Sequence, residues 1–162
     1  MNFSSLPADA RVWVFACDRT LTADQTGPLL AQVDAYLAEW KAHGTPLRCA
    51  RTWLHDRFLA VGIDPTVEQA SGCSIDDLFR RLRAIGDGLG TRVVSGGRVF
   101  YRDAQGRVQS ASRAEFSALA ARGDVTDDTI VFDTSLIQAD DWRDRFERRA
   151  ADAWTAELLA TS

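Results

Sequence analysis

A short apolar run near the start of the chain, RVWVFAC at residues 11–17, constrains the fold more than any other segment. It is rich in β-forming residues and contains no polar residue after Arg11 except a cysteine. A strand with one face in solvent alternates apolar and polar residues, whereas a continuous apolar run is typical of a fully buried strand. The sequence therefore predicts a central strand inside the protein.

The next segment predicts a helix. TADQ, which begins at Thr22, has the form of a capping box, in which two side chains satisfy free backbone amides at a helix start. Gly27 and Pro28 indicate a break or a restart of this helix. After them, apolar residues recur at helical spacing until HGTP at residues 43–46 ends the helix: Leu30, Val33, Leu37 and Trp40.

Two strands and a second helix follow. LRCARTWL and FLAVGI are predicted strands joined by a tight turn at His55–Asp56. A helix from Ser74 to about Ile85 has a clear apolar face, and TRVVSGG adds a strand. The order β-α-β-β-α-β is the split arrangement that folds as an antiparallel sheet with helices on one face. We therefore predict an α+β fold with a ferredoxin-like first lobe.

The remainder of the chain has a different pattern. RVFYRDAQGRVQS predicts a hairpin, Ser112 caps a short helix that Gly123 ends, and TIVFD is a strand. A last helix is predicted from Asp140 onward, because apolar residues recur at a spacing of four: Trp142, Phe146, Ala150, Trp154 and Leu158. We predict lobes at residues 1–95 and 96–162, the second being a hairpin-helix-strand lobe with a C-terminal helix. One compact domain is the alternative.

Charge and cysteine usage limit the class of protein. A net charge of −4 and a pI near 5.1 argue against a nucleic-acid-binding or anionic-membrane surface. No apolar run approaches the roughly 18 residues of a spanning helix, and residues 1–10 lack the features of a signal peptide. Three scattered cysteines do not form a disulfide framework. We therefore predict a cytoplasmic protein without nucleic-acid or membrane partners.

SGCSIDD, at residues 71–77, contains the candidate for a reactive group. Free amides and the macrodipole near a helix start stabilise a thiolate, which makes Cys73 a candidate nucleophile. Such a thiol needs a base; the imidazoles of the chain are His43 and His55, and His43 is the candidate. Asp76 and Asp77 lie in the same turn and oppose the thiolate. The alternative is a small cysteine that only packs beneath a well-capped helix.

No cofactor or metal site is predicted. The cysteines and the two histidines lack ligand spacing such as Cys-x-x-Cys, and the glycine-rich segments GDGLGT and SGG are not P-loops. VFACDRTLT resembles the first motif of haloacid-dehalogenase-type phosphatases, with Asp18 and Thr20 at matching places. Ala16 stands where that motif has its nucleophilic aspartate, so no phosphoenzyme chemistry follows from the resemblance.

Four segments together resemble a family of small bacterial proteins of uncharacterised function, some of which are labelled "ABC transporter ATPase": VWVFACDRTLT, YLAEWKAHG, DRFLAVGID and ASGCSIDD. The likeness runs over most of the chain, and SGCSID is its most distinctive piece. The label implies ATP hydrolysis, but this chain has no Walker A motif, and no catalytic residue comes with the resemblance.

Residues 100–142 are similar to a bacterial GYF-like module, with an aromatic strand, a glycine turn, a serine-capped helix and a Thr-Ile-Val strand. The Gly-Pro that usually precedes the helix in that module is replaced around VQSAS. GYF-type modules bind proline-rich peptides through aromatic side chains. The resemblance therefore implies peptide-binding roles for Tyr101 and Trp142.

The sequence thus favours a non-enzymatic binding or interaction protein, with a protein or peptide as its partner. The alternative is a thiol-dependent enzyme that uses Cys73. A homodimer, formed through an exposed sheet face or the last helix, is a third hypothesis.

Overall fold

The computed structural model describes residues 1–159 and has a mixed α+β fold. The chain divides into two compact units. The first comprises Met1–Ser95 together with Ile137–Asp140, and the second comprises Gly96–Leu136 and the chain from Asp141 onward. The short return to the first unit is fixed by backbone hydrogen bonds, one of them from the Val12 amide to the Ile137 carbonyl at 2.9 Å.

The first unit contains a four-stranded antiparallel sheet and a separate two-stranded hairpin. Its strands are β1 (Val12–Cys17), β2 (Lys41–Ala42), β3 (Thr45–Pro46), β4 (Cys49–Leu54), β5 (Phe58–Ile63) and β6 (Val93–Val94). The order across the sheet is β4-β5-β1-β6, and β2 pairs with β3. All six residues of β1 are buried, and the strand has a neighbour on each side. The predicted central strand is confirmed.

Two helices, α1 (Ala23–Leu37) and α2 (Gly72–Gly88), pack on one face of this sheet. The core between them is built from alternate strand residues and the apolar stripes of both helices: Trp13, Phe15, Leu59, Val61, Leu29, Val33, Leu78 and Leu82. The opposite face of β1 is buried as well, at Val14 and Ala16.

The predicted break at Gly27 and Pro28 is wrong, because α1 runs through both residues. Pro28 removes one backbone hydrogen bond near the start of the helix. The buried residues Leu29 and Val33 follow it directly and hold the helix against the sheet. Their packing outweighs the lost bond.

The predicted end of α1 is also wrong, since the helix ends at Leu37 instead of reaching residues 43–46. Trp40 is buried outside the helix, where its indole N–H donates to the Ser74 carbonyl at 2.9 Å. His43 and Gly44 then adopt positive φ and form the turn between β2 and β3. The helical spacing of the apolar residues thus predicted that Trp40 is buried, but it did not predict the backbone conformation of this segment.

The second unit is built around another four-stranded sheet. Its elements are β7 (Val99–Arg102), β8 (Val108–Ala111), α3 (Arg113–Ala121), β9 (Ile130–Phe132) and β10 (Glu147–Arg149). The helix α4 (Ala139–Arg145) begins in the segment that belongs to the first unit and continues into the second. The strand order is β10-β9-β7-β8, with antiparallel neighbours. Ser112 and Glu115 form a capping box at the start of α3. Gly123 (φ 79°) ends it in a Schellman motif, because the Asp124 amide bonds back to Leu119. The hairpin, the capped helix and the strand are confirmed.

The predicted C-terminal helix is confirmed at its start, where α4 forms, but its predicted extent is wrong. The α4 helix stops at Arg145, and the chain continues as β10 and two 3-10 turns at Ala150–Asp152 and Trp154–Leu158. A spacing of four residues is close to one helical turn but is also a multiple of two, so it suits one face of a strand equally well. Residues 147–149 form a strand because they pair with the edge of β9.

We predict that Gly86 in α2 cannot be replaced by alanine without loss of stability. A Cβ at this position would lie 2.9 Å from the Thr91 carbonyl oxygen and 2.7 Å from a Val93 methyl. Gly86→Ala should lower the free energy of unfolding by about 1–3 kcal/mol, in spite of its better helix propensity. Gly88→Ala is the control, since nothing lies within 4 Å of that position. Urea unfolding followed by tryptophan fluorescence measures both, and equal effects would contradict the prediction.

We also predict a pH-dependent link between α1 and α2. The Tyr36 hydroxyl donates to the Asp77 carboxylate at 2.6 Å and, with Arg80, lowers the pKa of Asp77. A lowered carboxyl pKa stabilises the fold above the unfolded value of about 3.9, and that stabilisation disappears as the pH falls through the folded value. Tyr36→Phe should therefore cost about 1 kcal/mol at pH 7 and less at pH 3.

Urea unfolding at both pH values measures this difference. Tyr101→Phe is the matched control, because the Tyr101 hydroxyl has no hydrogen-bond partner within residues 1–159. If Tyr36→Phe lowers the free energy of unfolding by the same amount at pH 3 and pH 7, the Tyr36 side chain contributes packing alone.

Candidate functional site

Cys73 is the second residue of α2, and its side chain is exposed. The helix is capped by Ser71, not by Ser74, and these two serines form a capping box around the thiol. The predicted start at Ser74 is two residues later than the observed start at Gly72. The thiol is therefore in the first helical turn, with its side chain directed to solvent.

His43, the candidate base, is exposed in the β2–β3 turn at φ 53°. This turn and the start of α2 belong to neighbouring elements, which the Trp40 bond to Ser74 joins. The side chains of Cys73 and His43 make no hydrogen bond or ion pair to each other or to any residue between 1 and 159. A nucleophile–base pair is not formed, and a catalytic role for Cys73 stays a prediction.

The segment that resembles a phosphatase motif has a structural role. Ala16 is buried in β1 between two neighbouring strands. The Asp18 carboxylate accepts hydrogen bonds from the Thr91 hydroxyl at 3.0 Å and the Arg92 amide at 3.1 Å. Burial raises the pKa of Asp18, but these two bonds and Arg19 outweigh it and keep the pKa below its usual value. The carboxylate thus joins the end of β1 to the start of β6.

Tyr101 and Trp142 belong to different aromatic groups. Tyr101 packs edge-on against Phe116, with 5.6 Å between ring centroids, on the face of the second sheet that Val131 shares. Trp142 is buried and lies 4.1 Å from the ring of Phe146. The two rings do not form one binding platform, and their peptide-binding roles remain predictions.

The edge of the first sheet at β4 is open. The Asp64 amide donates to the Arg48 carbonyl at 2.8 Å, which fixes the even-numbered residues of β4 as the ones that bond to β5. The amides and carbonyls of Cys49, Arg51 and Trp53 therefore point away from the sheet. None of them has a backbone partner in the described part of the chain.

A groove of about 610 Å³ runs beside this edge. It is lined by residues at the end of α1, in the segment before β4 and in β4 itself, together with Met1: Asp34, Leu37, Ala38, Leu47, Arg48, Cys49, Ala50 and Arg51. Asp34 and Arg51 form a bidentate ion pair at 2.8 and 2.9 Å, which fixes α1 against the strand. The Cys49 thiol donates to the Leu37 carbonyl, and burial raises its pKa to about 11.

The open edge at β4 differs from the edges at β6 and β10; β8, the remaining edge of the two four-stranded sheets, has four uncharged residues against six in β4. Natural sheets protect their edges with short strands, charged residues, prolines or bulges. The other edge strand of the same sheet, β6, is protected by its length of only two residues. The edge strand β10 in the second unit consists of three charged residues, Glu-Arg-Arg. The β4 strand has six residues, pairs with β5 without a bulge, and carries one charge, which Asp34 neutralises. The groove at β4 is therefore the candidate site.

No protein-family model, curated protein or solved structure matches this chain. Within residues 1–159, no group of three or more His, Cys, Asp or Glu side chains is placed to hold a metal ion. Every helix of that part is too short or too polar to span a bilayer.

We predict that the three cysteines react with iodoacetamide in a fixed order. Cys73 is exposed and should react first, whereas burial raises the pKa values of Cys17 and Cys49 to about 11 and keeps both thiols protonated. Native protein at pH 8 should carry a single label, located on Cys73 by peptide mass spectrometry. Labelling in urea is the control for complete reaction. Early labelling of Cys17 would contradict the burial of β1.

Proposed function

We propose that this chain is a non-enzymatic binding protein that takes up an extended segment of a partner protein as an added strand at β4. The observation that carries the proposal is the six-residue edge whose outward amides and carbonyls are unpaired within residues 1–159. Strand addition supplies affinity through backbone hydrogen bonds and selectivity through pockets for alternate side chains. The groove beside β4 provides such pockets.

Simple energetics support this mode of binding. Three outward-facing residues offer up to six backbone hydrogen bonds, each with a net contribution of about 0.5–1.5 kcal/mol. Ordering the incoming segment opposes these bonds. Apolar contact with Leu37, Ala38 and Leu47 in the groove adds to them. The sum fits a transient interaction rather than a permanent complex.

We further propose that the first unit is a ferredoxin-like domain. The order β4-β5-β1-β6 and the packing of α1 and α2 on one face support this assignment. In such a domain β4 is the second strand of the split arrangement and lies at an edge, which is where the groove is found. Three unpaired cysteines are in keeping with a reducing compartment such as the cytoplasm.

We predict that removing one outward amide of β4 abolishes strand addition. Arg51→Pro deletes the N–H at the centre of the open edge, and proline is tolerated there because that N–H does not pair with β5. Arg51→Ala is the matched control, since it loses the same side chain and the same ion pair but keeps the N–H. The probe is an end-capped, fluorescently labelled octapeptide in which valine alternates with serine.

Fluorescence anisotropy should show at least tenfold weaker binding of this peptide to the proline variant than to the alanine variant. Hydrogen exchange on the wild-type protein gives an independent readout, because the amides of Cys49, Arg51 and Trp53 should become protected when the peptide binds. Circular dichroism verifies that both variants are folded. Protection elsewhere but not at these three amides would overturn the proposed function.

A further inference from the structure

We infer that the segment bound at β4 is acidic, with an apolar residue next to an acidic one. The inference rests on the proposed function and adds the chemistry of the partner to it. It is drawn from the charges and side-chain directions of the residues that line the groove.

The charge of the groove is opposite to that of the chain. The chain has a net charge of −4, whereas the groove is lined by Arg48 and Arg51 against one acidic residue, Asp34. Arg51 and Asp34 satisfy each other through two short bonds. Arg48 thus supplies a positive charge that the groove itself does not balance.

Arg48 is available to a ligand. Its side chain is 58% exposed, and its one ion pair is a 3.8 Å contact of Nε with Asp64. It donates no hydrogen bond to any residue within 1–159. A guanidinium has five N–H donors in a planar fork that matches a carboxylate. A glutamate or aspartate in the added strand can therefore accept hydrogen bonds from the N–H groups of Arg48.

The apolar requirement comes from the neighbouring position. Cys49 points to the helix side of the sheet, where it contacts Leu37, and the groove there is lined by Ala38 and Leu47. A residue of the added strand opposite Cys49 points to the same side and meets these apolar groups. Arg48 points to the other side, because successive strand residues alternate. The ligand residues that meet the apolar groups and Arg48 are therefore adjacent in sequence.

The same charges disfavour a second copy of this chain as the occupant. An antiparallel β4–β4 pair brings two grooves of equal positive charge together. A partner segment of opposite charge meets no such repulsion.

The experiment compares three labelled, end-capped octapeptides in which valine alternates with glutamate, serine or lysine. Anisotropy titrations at 20 mM NaCl should give the order glutamate, serine, lysine, from tightest to weakest. Arg48→Gln should weaken the glutamate peptide about three- to fivefold, which is the range of one exposed ion pair, and weaken the serine peptide less. Arg48→Glu should reverse the order. At 500 mM NaCl the three affinities should converge, because salt screens exposed charges.

Failure of this inference can be distinguished from failure of the proposed function. If all three peptides protect the amides of Cys49, Arg51 and Trp53 equally well, strand addition stands and the acidic preference is overturned. If no peptide protects them, the proposed function itself fails. Protection of these amides without peptide, with a concentration-dependent dimer in light scattering, would identify a second copy as the occupant and overturn the inference.

Discussion

The backbone of β1 imposes the constraint that the first unit is built to satisfy. This strand is buried on both faces, and its amides and carbonyls have no access to water. A buried backbone group without a partner costs about 1–3 kcal/mol, so β1 needs a neighbour on each side. β5 pairs along the strand on one side. On the other side β6 pairs with Ala16 and Cys17, the Ile137 carbonyl accepts from the Val12 amide, and Asp18 fixes the β6 end through Thr91 and Arg92. Because β1 lies between β5 and β6, the edges of the sheet are formed by β4 and β6.

The two edge strands of this sheet, β4 and β6, differ in length, and the proposed function depends on the longer one. At β6 the edge is limited by length, since only Val93 and Val94 pair. At β4 the full length of the strand is presented, and the ion pair between Asp34 and Arg51 fixes the end of α1 beside it. The result is a groove with a hydrogen-bonding floor, an apolar wall and a positive charge at Arg48 in an otherwise acidic protein. The open backbone groups and the apolar residues suit the proposed extended segment, and Arg48 is the group that suits an acidic one.

Local signals were strong enough to predict several elements. The uninterrupted apolar run of β1, the hairpin turn at His55–Asp56 and the capping box at Ser112 each specify a conformation within a few residues. The spacing of Trp40 with the residues of α1, and that of Phe146 and Ala150 in the C-terminal segment, specified burial alone. Such spacing is compatible with more than one backbone conformation, and the neighbours of the segment make the choice.

The sequence by itself determined many of the residues that enter the core, the starts of α1 and α3, and that the fold mixes helices with antiparallel strands. FLAVGI is apolar throughout, which favours the interior place that β5 takes, but the sequence could not determine which backbone groups of LRCARTWL are left without a partner. It also could not determine that Arg51 is neutralised by Asp34 while Arg48 remains available. Hydrogen-bond partners and charge neighbours are properties of residues far apart in the chain, so only the tertiary structure decided them.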